Sequence, residues 1–191
     1  MLALTRERIS VHLQELPILI DLYQKHDSMF INKTVIWLFD LEKILLQIRN
    51  PLASFVAIER GKILAISDGY RDSNSQTVST TKRKSGLVTA MIVLGRVEAV
   101  LLKKLDDIDS KFEIWREKMA QFIAVATNSH PIPLPPTEPR QSWLKEIWSQ
   151  FSVTVETKSM YNYLNTVMNT SDRLYLLNEL IENTLNGLEK P

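Results

Sequence analysis

Nine residues in the first third of the chain, Leu46-Gln47-Ile48-Arg49-Asn50-Pro51-Leu52-Ala53-Ser54, carry its most suggestive chemical pattern. Polar residues of these types can orient or stabilise a reacting group, and an imidazole is the usual side chain to act beside them as acid or base. No histidine lies among the nine, so the group that would do the chemistry is missing. The three histidines of the chain, His12, His26 and His130, fall in different segments and share no metal-ligand spacing. The chain has no cysteine, which excludes thiolate nucleophiles, disulfides, Fe–S clusters and most structural zinc sites.

The nine residues resemble the phosphoacceptor box of sensor histidine kinases, His-Glu-x-Arg-Asn-Pro-Leu, with Leu46 in place of the His and Gln47 in place of the Glu. They are also similar to the motif of the HEPN family of helical RNases, Arg-Asn followed a few residues later by His. Ser54 sits near where that His would fall. Either resemblance implies a helical bundle that has lost its reactive group. Arg6 and His12 have an Arg-x5-His spacing within the range HEPN RNases use, although that family places its pair late in the bundle. An RNase reading therefore rests on Arg6 and His12, or on Arg49 in a dimer. Taken by itself, Arg49-Asn50-Pro51 reads as a helix end, with Arg49 favourable at the negative end of the helix dipole.

Other polar groups are weaker candidates. Asp68 and Asp72 flank a turn at Gly69-Tyr70-Arg71, with no second catalytic group beside them. Asp106, Asp107 and Asp109 lack the glycine and terminal glutamate of a calcium-binding loop. There is no phosphate-cradling glycine loop, so no metal, cofactor or catalytic set is expected. Arg71 with Lys82-Arg83-Lys84 forms the clear basic cluster, a candidate contact for nucleic-acid phosphates. Trp115, Trp143 and Trp148 lie around a Pro-rich segment, where aromatic residues can make a surface for a protein partner or anchor the segment to a core.

The elements that must position these residues are mainly helical. The chain has 191 residues, is 45% hydrophobic and 24% charged, and contains five glycines and eight prolines. Those values suit a packed domain and disfavour both disorder and a turn-rich β fold. A net charge of +1 provides no global field for nucleic acid or an anionic membrane. The N-terminus carries charges where a signal peptide has its apolar run. The longest apolar stretch, Leu87 to Leu102, is interrupted by Arg96 and Glu98 and is short for a bilayer. A soluble, cytoplasmic protein without a membrane partner is the expectation.

Helical spacing is expected over about Thr5–Lys25, with a kink or restart at Pro17, and over Met29–Arg49, ended by Pro51. Phe55–Ser67 reads as two short apolar strands around Gly61, a hairpin, with a helix continuing from Pro51 as the rival reading; Arg71–Ser85 is a polar loop in which a third strand fits about Gln76–Thr80, mobility being the alternative. The strongest periodicity runs from Leu87 to Ala126 and divides into two helices near Asp109, where Ser110 and Glu113 fit a capping box. Residues 130–139 form an extended Pro-rich connector. A short helix follows at Gln141–Ser149, then a strand at 151–156, then helix from Met160 to Leu188 with a break near Asn169–Asp172.

The sequence therefore predicts a mainly α fold: a bundle of five to seven helices with a small inserted β-hairpin, or α+β if the hairpin pairs with the 151–156 strand. Its organisation is a helical domain over 1–129 with the hairpin at about 55–67, the connector at 130–139, and a C-terminal helical segment over 140–191 packing on the first. The function that fits is a non-enzymatic protein-protein interaction or scaffold subunit of a larger complex, with a protein partner or self-association. The alternatives are a nucleic-acid-binding accessory protein using the basic loop 82–84, and a HEPN-like RNase or its degenerate bundle.

Overall fold

A computed structural model describes residues 1–67, 82–129, 133, 140–153 and 155–188 of the chain, and it is mainly helical. In chain order the helices are α1 (Leu2–Leu13), α2 (Leu16–Gln24), α3 (Phe30–Gln47), α4 (Leu52–Ser67), α5 (Lys82–Ser129), α6 (Arg140–Gln150), α7 (Val155–Val167) and α8 (Thr170–Leu188). They divide into two compact units: Leu4–Asp107, and Met1–Ala3 with Ile108–Pro191. The expected third strand at Gln76–Thr80 lies outside the described residues, as does the Pro-rich connector apart from Pro133.

In the first unit, α2 begins beside Pro17, which sits in its first turn where a missing amide hydrogen leaves nothing unsatisfied. The next two junctions share one device. His26 and Arg49 both adopt the left-handed conformation, at φ 54° and 53°. The amides of His26 and Asp27 donate back to the Tyr23 and Leu22 carbonyls, each at 3.0 Å. The amides of Arg49 and Asn50 donate in the same way to Leu46 and Leu45, at 3.0 and 2.8 Å. This Schellman arrangement satisfies the last carbonyls of a helix. The side chain of the following residue then turns the chain toward the next helix. Asp27 Oδ1 accepts from the Met29 amide at 2.7 Å, and Asn50 Oδ1 accepts from the Leu52 amide at 3.1 Å.

That second junction explains why the expected hairpin does not form. Asn50 caps and Pro51 opens a helix, and Ala53, Val56, Glu59 and Ile63 then fall on one buried face at helical spacing. Gly61 lies on the outer side of α4, with nothing among the described residues within 4 Å of where a Cβ would stand, so it serves no turn. The core of this unit joins Ile9 of α1, Leu19 of α2, Leu38 and Leu41 of α3, Val56 of α4 and Leu94 of α5. Glu59 is buried and held by Arg96 through two contacts of 3.1 Å and by Lys62 at 2.5 Å. Arg60 reaches back to Glu42 of α3 at 2.8 Å.

The expected break near Asp109 is absent. α5 is one helix through Leu105, Ile108 and Phe112, whose apolar steps continue without interruption, while Asp106, Asp107 and Asp109 are exposed. An exposed aspartate costs a helix only about 0.7 kcal/mol, too little to break one that is packed on either side.

The second unit is built from the remainder of α5 with α6, α7 and α8. Its core includes Ile108, Met119, Phe122, Ile147, Phe151, Leu164 and Leu177. The strand expected at 151–156 is instead a turn at Phe151–Val153 followed by α7. Phe151 is buried edge-on to Phe122 at 5.3 Å, and Val153 and Val155 face solvent, so the alternation in sequence does not mark a sheet face. Thr157 Oγ1 donates to the Phe151 carbonyl at 2.8 Å and ties the turn to α7. Asn169 caps α8, its Oδ1 accepting from the Asp172 amide at 2.9 Å. The fully buried Asp172 carboxylate accepts from the Leu2 and Ala3 amides at 2.8 and 2.9 Å and from the Asn169 side chain, and so binds the start of α1.

Candidate interaction surfaces

The residues singled out by the sequence do not converge on one place. Arg49 and Asn50 form the helix junction described above. Asn50 is buried, with its side-chain oxygen on the Leu52 amide, and the left-handed backbone at Arg49 is what the Schellman turn requires. The Asn50 side chain therefore has a structural task within this chain, and Arg49 contributes the backbone of the turn. The sequence already held the signal, since Asn-Pro is an N-cap followed by a favoured first helical residue.

His12 is also occupied. Its ring is buried and stacked on Trp37 at 4.6 Å. Nε2 donates to the Trp37 carbonyl at 2.9 Å, and Trp37 Nε1 donates to the His12 carbonyl at 3.2 Å, so α1 and α3 are locked reciprocally. Burial lowers the His12 pKa below the ordinary 6.5, against smaller upward pulls from its hydrogen bond to Trp37 and the charges of Glu15 and Asp40. The neutral ring is thus favoured. Arg6 is exposed on α1. Among the described residues no three His, Cys, Asp or Glu side chains cluster to hold a metal ion.

Of the basic cluster, Arg71 and the side chains of Lys82 and Arg83 lie outside what is described, as do Asp68 and Asp72; Lys84 is exposed on α5. The three tryptophans share the second unit. Trp143 and Trp148 are buried and Trp115 is half-buried against the same core. Trp148 packs on Phe122 at 5.4 Å, stacks on Tyr161 at 5.1 Å, and lies 4.8 Å beneath the Arg173 guanidinium. Its indole N–H donates to Asn165 at 3.3 Å. Burial lowers the Arg173 pKa, and the indole face supplies part of the stabilisation that water would otherwise give the cation. Trp37 belongs to the first unit's core.

The surface that periodicity alone did not separate from the core lies on the first half of α5. One side of this stretch, at Ala90, Val93, Leu94, Val97 and Leu101, is buried against the first unit. The opposite side is apolar as well. Val88, Ile92 and Leu102 are 51%, 55% and 51% exposed, and Ala99 between them is exposed. Within the longer Lys84–Thr127 span of α5, an eighteen-residue stretch is apolar enough, by length and composition, to cross a membrane, and only 33% of it is buried. A surface helix ordinarily carries polar residues opposite its packed face, and this stretch of α5 departs from that pattern. No protein-family model, no curated protein and no solved structure matches this chain.

Proposed function

We propose that the chain is a non-enzymatic, cytoplasmic interaction subunit that works through the outward face of α5. The observation that carries this reading is the exposed series Val88, Ile92, Ala99 and Leu102, lying opposite a face that already packs in the core. Apolar side chains half open to water at regular helical spacing are stabilised by a partner helix or groove that removes them from solvent. The polar side chains of Asn50 and His12 support the same reading, because each is engaged in holding helices together.

The test is a pull-down of the tagged protein from its native lysate, run beside an Ile92→Glu/Leu102→Glu variant. Both positions are exposed, so the variant is expected to keep the parent's helical circular dichroism. Stoichiometric protein captured by the parent and lost with the variant supports the reading. Nucleic acid captured without protein, and lost when Lys82, Arg83 and Lys84 become Glu, would replace it with the nucleic-acid alternative.

A further inference from the structure

The outward face of α5 has an internal symmetry. At 3.6 residues per turn, Lys84, Val88, Ile92, Gly95, Ala99, Leu102 and Asp106 fall within one narrow stripe, on the side away from the buried Val93, Leu94 and Val97. Counted from Gly95, Val88 lies seven residues before and Leu102 seven after, while Lys84 lies eleven before and Asp106 eleven after. Lys84 and Asp106 are both exposed. At the centre, a Cβ on Gly95 would meet nothing within 4 Å among the described residues, so none of them requires a glycine there. With the exposed Ala99 one turn on, the centre of the stripe offers bare backbone on which another helix can approach closely.

We propose that this stripe is the interface of an antiparallel homodimer, with the two-fold axis passing beside Gly95. In that alignment Val88 of each chain meets Leu102 of the other and Lys84 meets Asp106 at both ends, while Ile92, three residues before Gly95, lies one position out of register with Ala99, four residues after it. The charges select the direction. A parallel pair would place Lys84 beside Lys84 and Asp106 beside Asp106, so only the antiparallel pair converts the stripe ends from repulsion to attraction. A two-fold contact must be complementary to itself, and the equal spacings of Val88 and Leu102, and of Lys84 and Asp106, about Gly95 provide that. The inference names the partner of the face proposed above and rests on that reading.

The full chain is examined by light scattering and native mass spectrometry at micromolar concentrations. The parent is expected at twice the chain mass, and Ile92→Glu/Leu102→Glu at the chain mass with its helical signal retained. Lys84→Asp and Asp106→Lys are each expected to weaken the dimer about tenfold, because two attractive contacts become repulsive. An equimolar mixture of these two variants should pair with each other and regain the parent's affinity. The absence of native cysteine makes cross-linking direct: Val88→Cys mixed with Leu102→Cys should give the mixed disulfide, whereas Val88→Cys cross-linking to itself would mean a parallel pair and overturn the proposal.

A monomeric parent also overturns it. If that monomer still captures a protein through Ile92 and Leu102, the interaction reading survives and only the homodimer falls. Binding of the monomer to phosphatidylcholine vesicles, abolished by Ile92→Glu/Leu102→Glu, would assign the face to a lipid surface and remove both.

Discussion

Replacing Arg49 with glycine should stabilise this protein, although arginine is the better residue in most helical contexts. Arg49 sits at φ 53°, where a Cβ crowds the following carbonyl at a cost of roughly 1–2 kcal/mol. Glycine adopts this conformation freely but also frees the unfolded chain, which returns about 0.5–1 kcal/mol to the unfolded state. The Schellman hydrogen bonds use only the backbone, so they survive the change. The net gain is about 0.5–1 kcal/mol. The comparison is Arg49→Ala, which keeps the Cβ and the strain and should be neutral or slightly destabilising. His26 occupies the equivalent position at φ 54°, and His26→Gly should gain a similar amount; the sites are separate enough for the two effects to add. Urea denaturation followed by far-ultraviolet circular dichroism measures the midpoint shift, read on the transition of the Leu4–Asp107 unit if the two units melt separately. Equal behaviour of Arg49→Gly and Arg49→Ala, or a loss of stability in Arg49→Gly, would refute the junction argument and return Arg49 to the list of residues with a task outside the fold.

Three further outcomes follow from the packing. Gly61→Ala should gain up to about 1 kcal/mol in the same assay, because α4 loses a poor helix former and the new methyl enters open space. Asp172→Ala should lose about 3 kcal/mol, since the buried carboxylate accepts from two backbone amides and from Asn169; a midpoint within 1 kcal/mol of the parent would show that water replaces it. For His12 the folded state binds the proton less readily than the unfolded chain, so protonation draws the equilibrium toward unfolding. Its contribution is complete above the ordinary pKa of 6.5 and is lost as pH falls from 6.5 toward the lowered folded value. The pH 7.5 to pH 5.5 loss of stability should therefore be smaller in His12→Gln than in the parent, and an unchanged loss would place the titration elsewhere.

The helices were legible in the sequence wherever one apolar face repeats at 3.6 residues. The positions of α3 and α6, and the restart at Pro17, follow from that spacing and from proline. The errors arose where local pattern and tertiary burial compete. At Phe55–Ser67, runs of β-branched residues around a glycine resemble two strands, yet the residues that become buried are Ala53, Val56, Glu59 and Ile63, a helical series that includes a charged member. Glu59 is apolar in role only because Arg96 arrives from α5 to pair with it, and that contact spans 37 positions in sequence. At 151–156 the alternation was real but placed Val153 and Val155 in water. The apparent capping box at Ser110 lost to continuity between Leu105, Ile108 and Phe112.

The candidate sites were harder to read because polar residues at helix ends have two meanings. Arg49-Asn50 attracted a chemical interpretation because arginine and asparagine recur where helices terminate at active sites. The structure shows why they also recur where helices merely turn. Asparagine serves at once as the last donor of one helix and the first acceptor of the next, as Asp27 does after His26. Recognising that His26-Asp27 and Arg49-Asn50 are two copies of one joint would have removed the motif from the list of chemical candidates. The face left over on α5 has the opposite character: it contains no reactive group, and its significance lies in being apolar on the side the fold does not need. The proposed interface therefore rests on that unneeded apolar side and not on a polar motif of the chain.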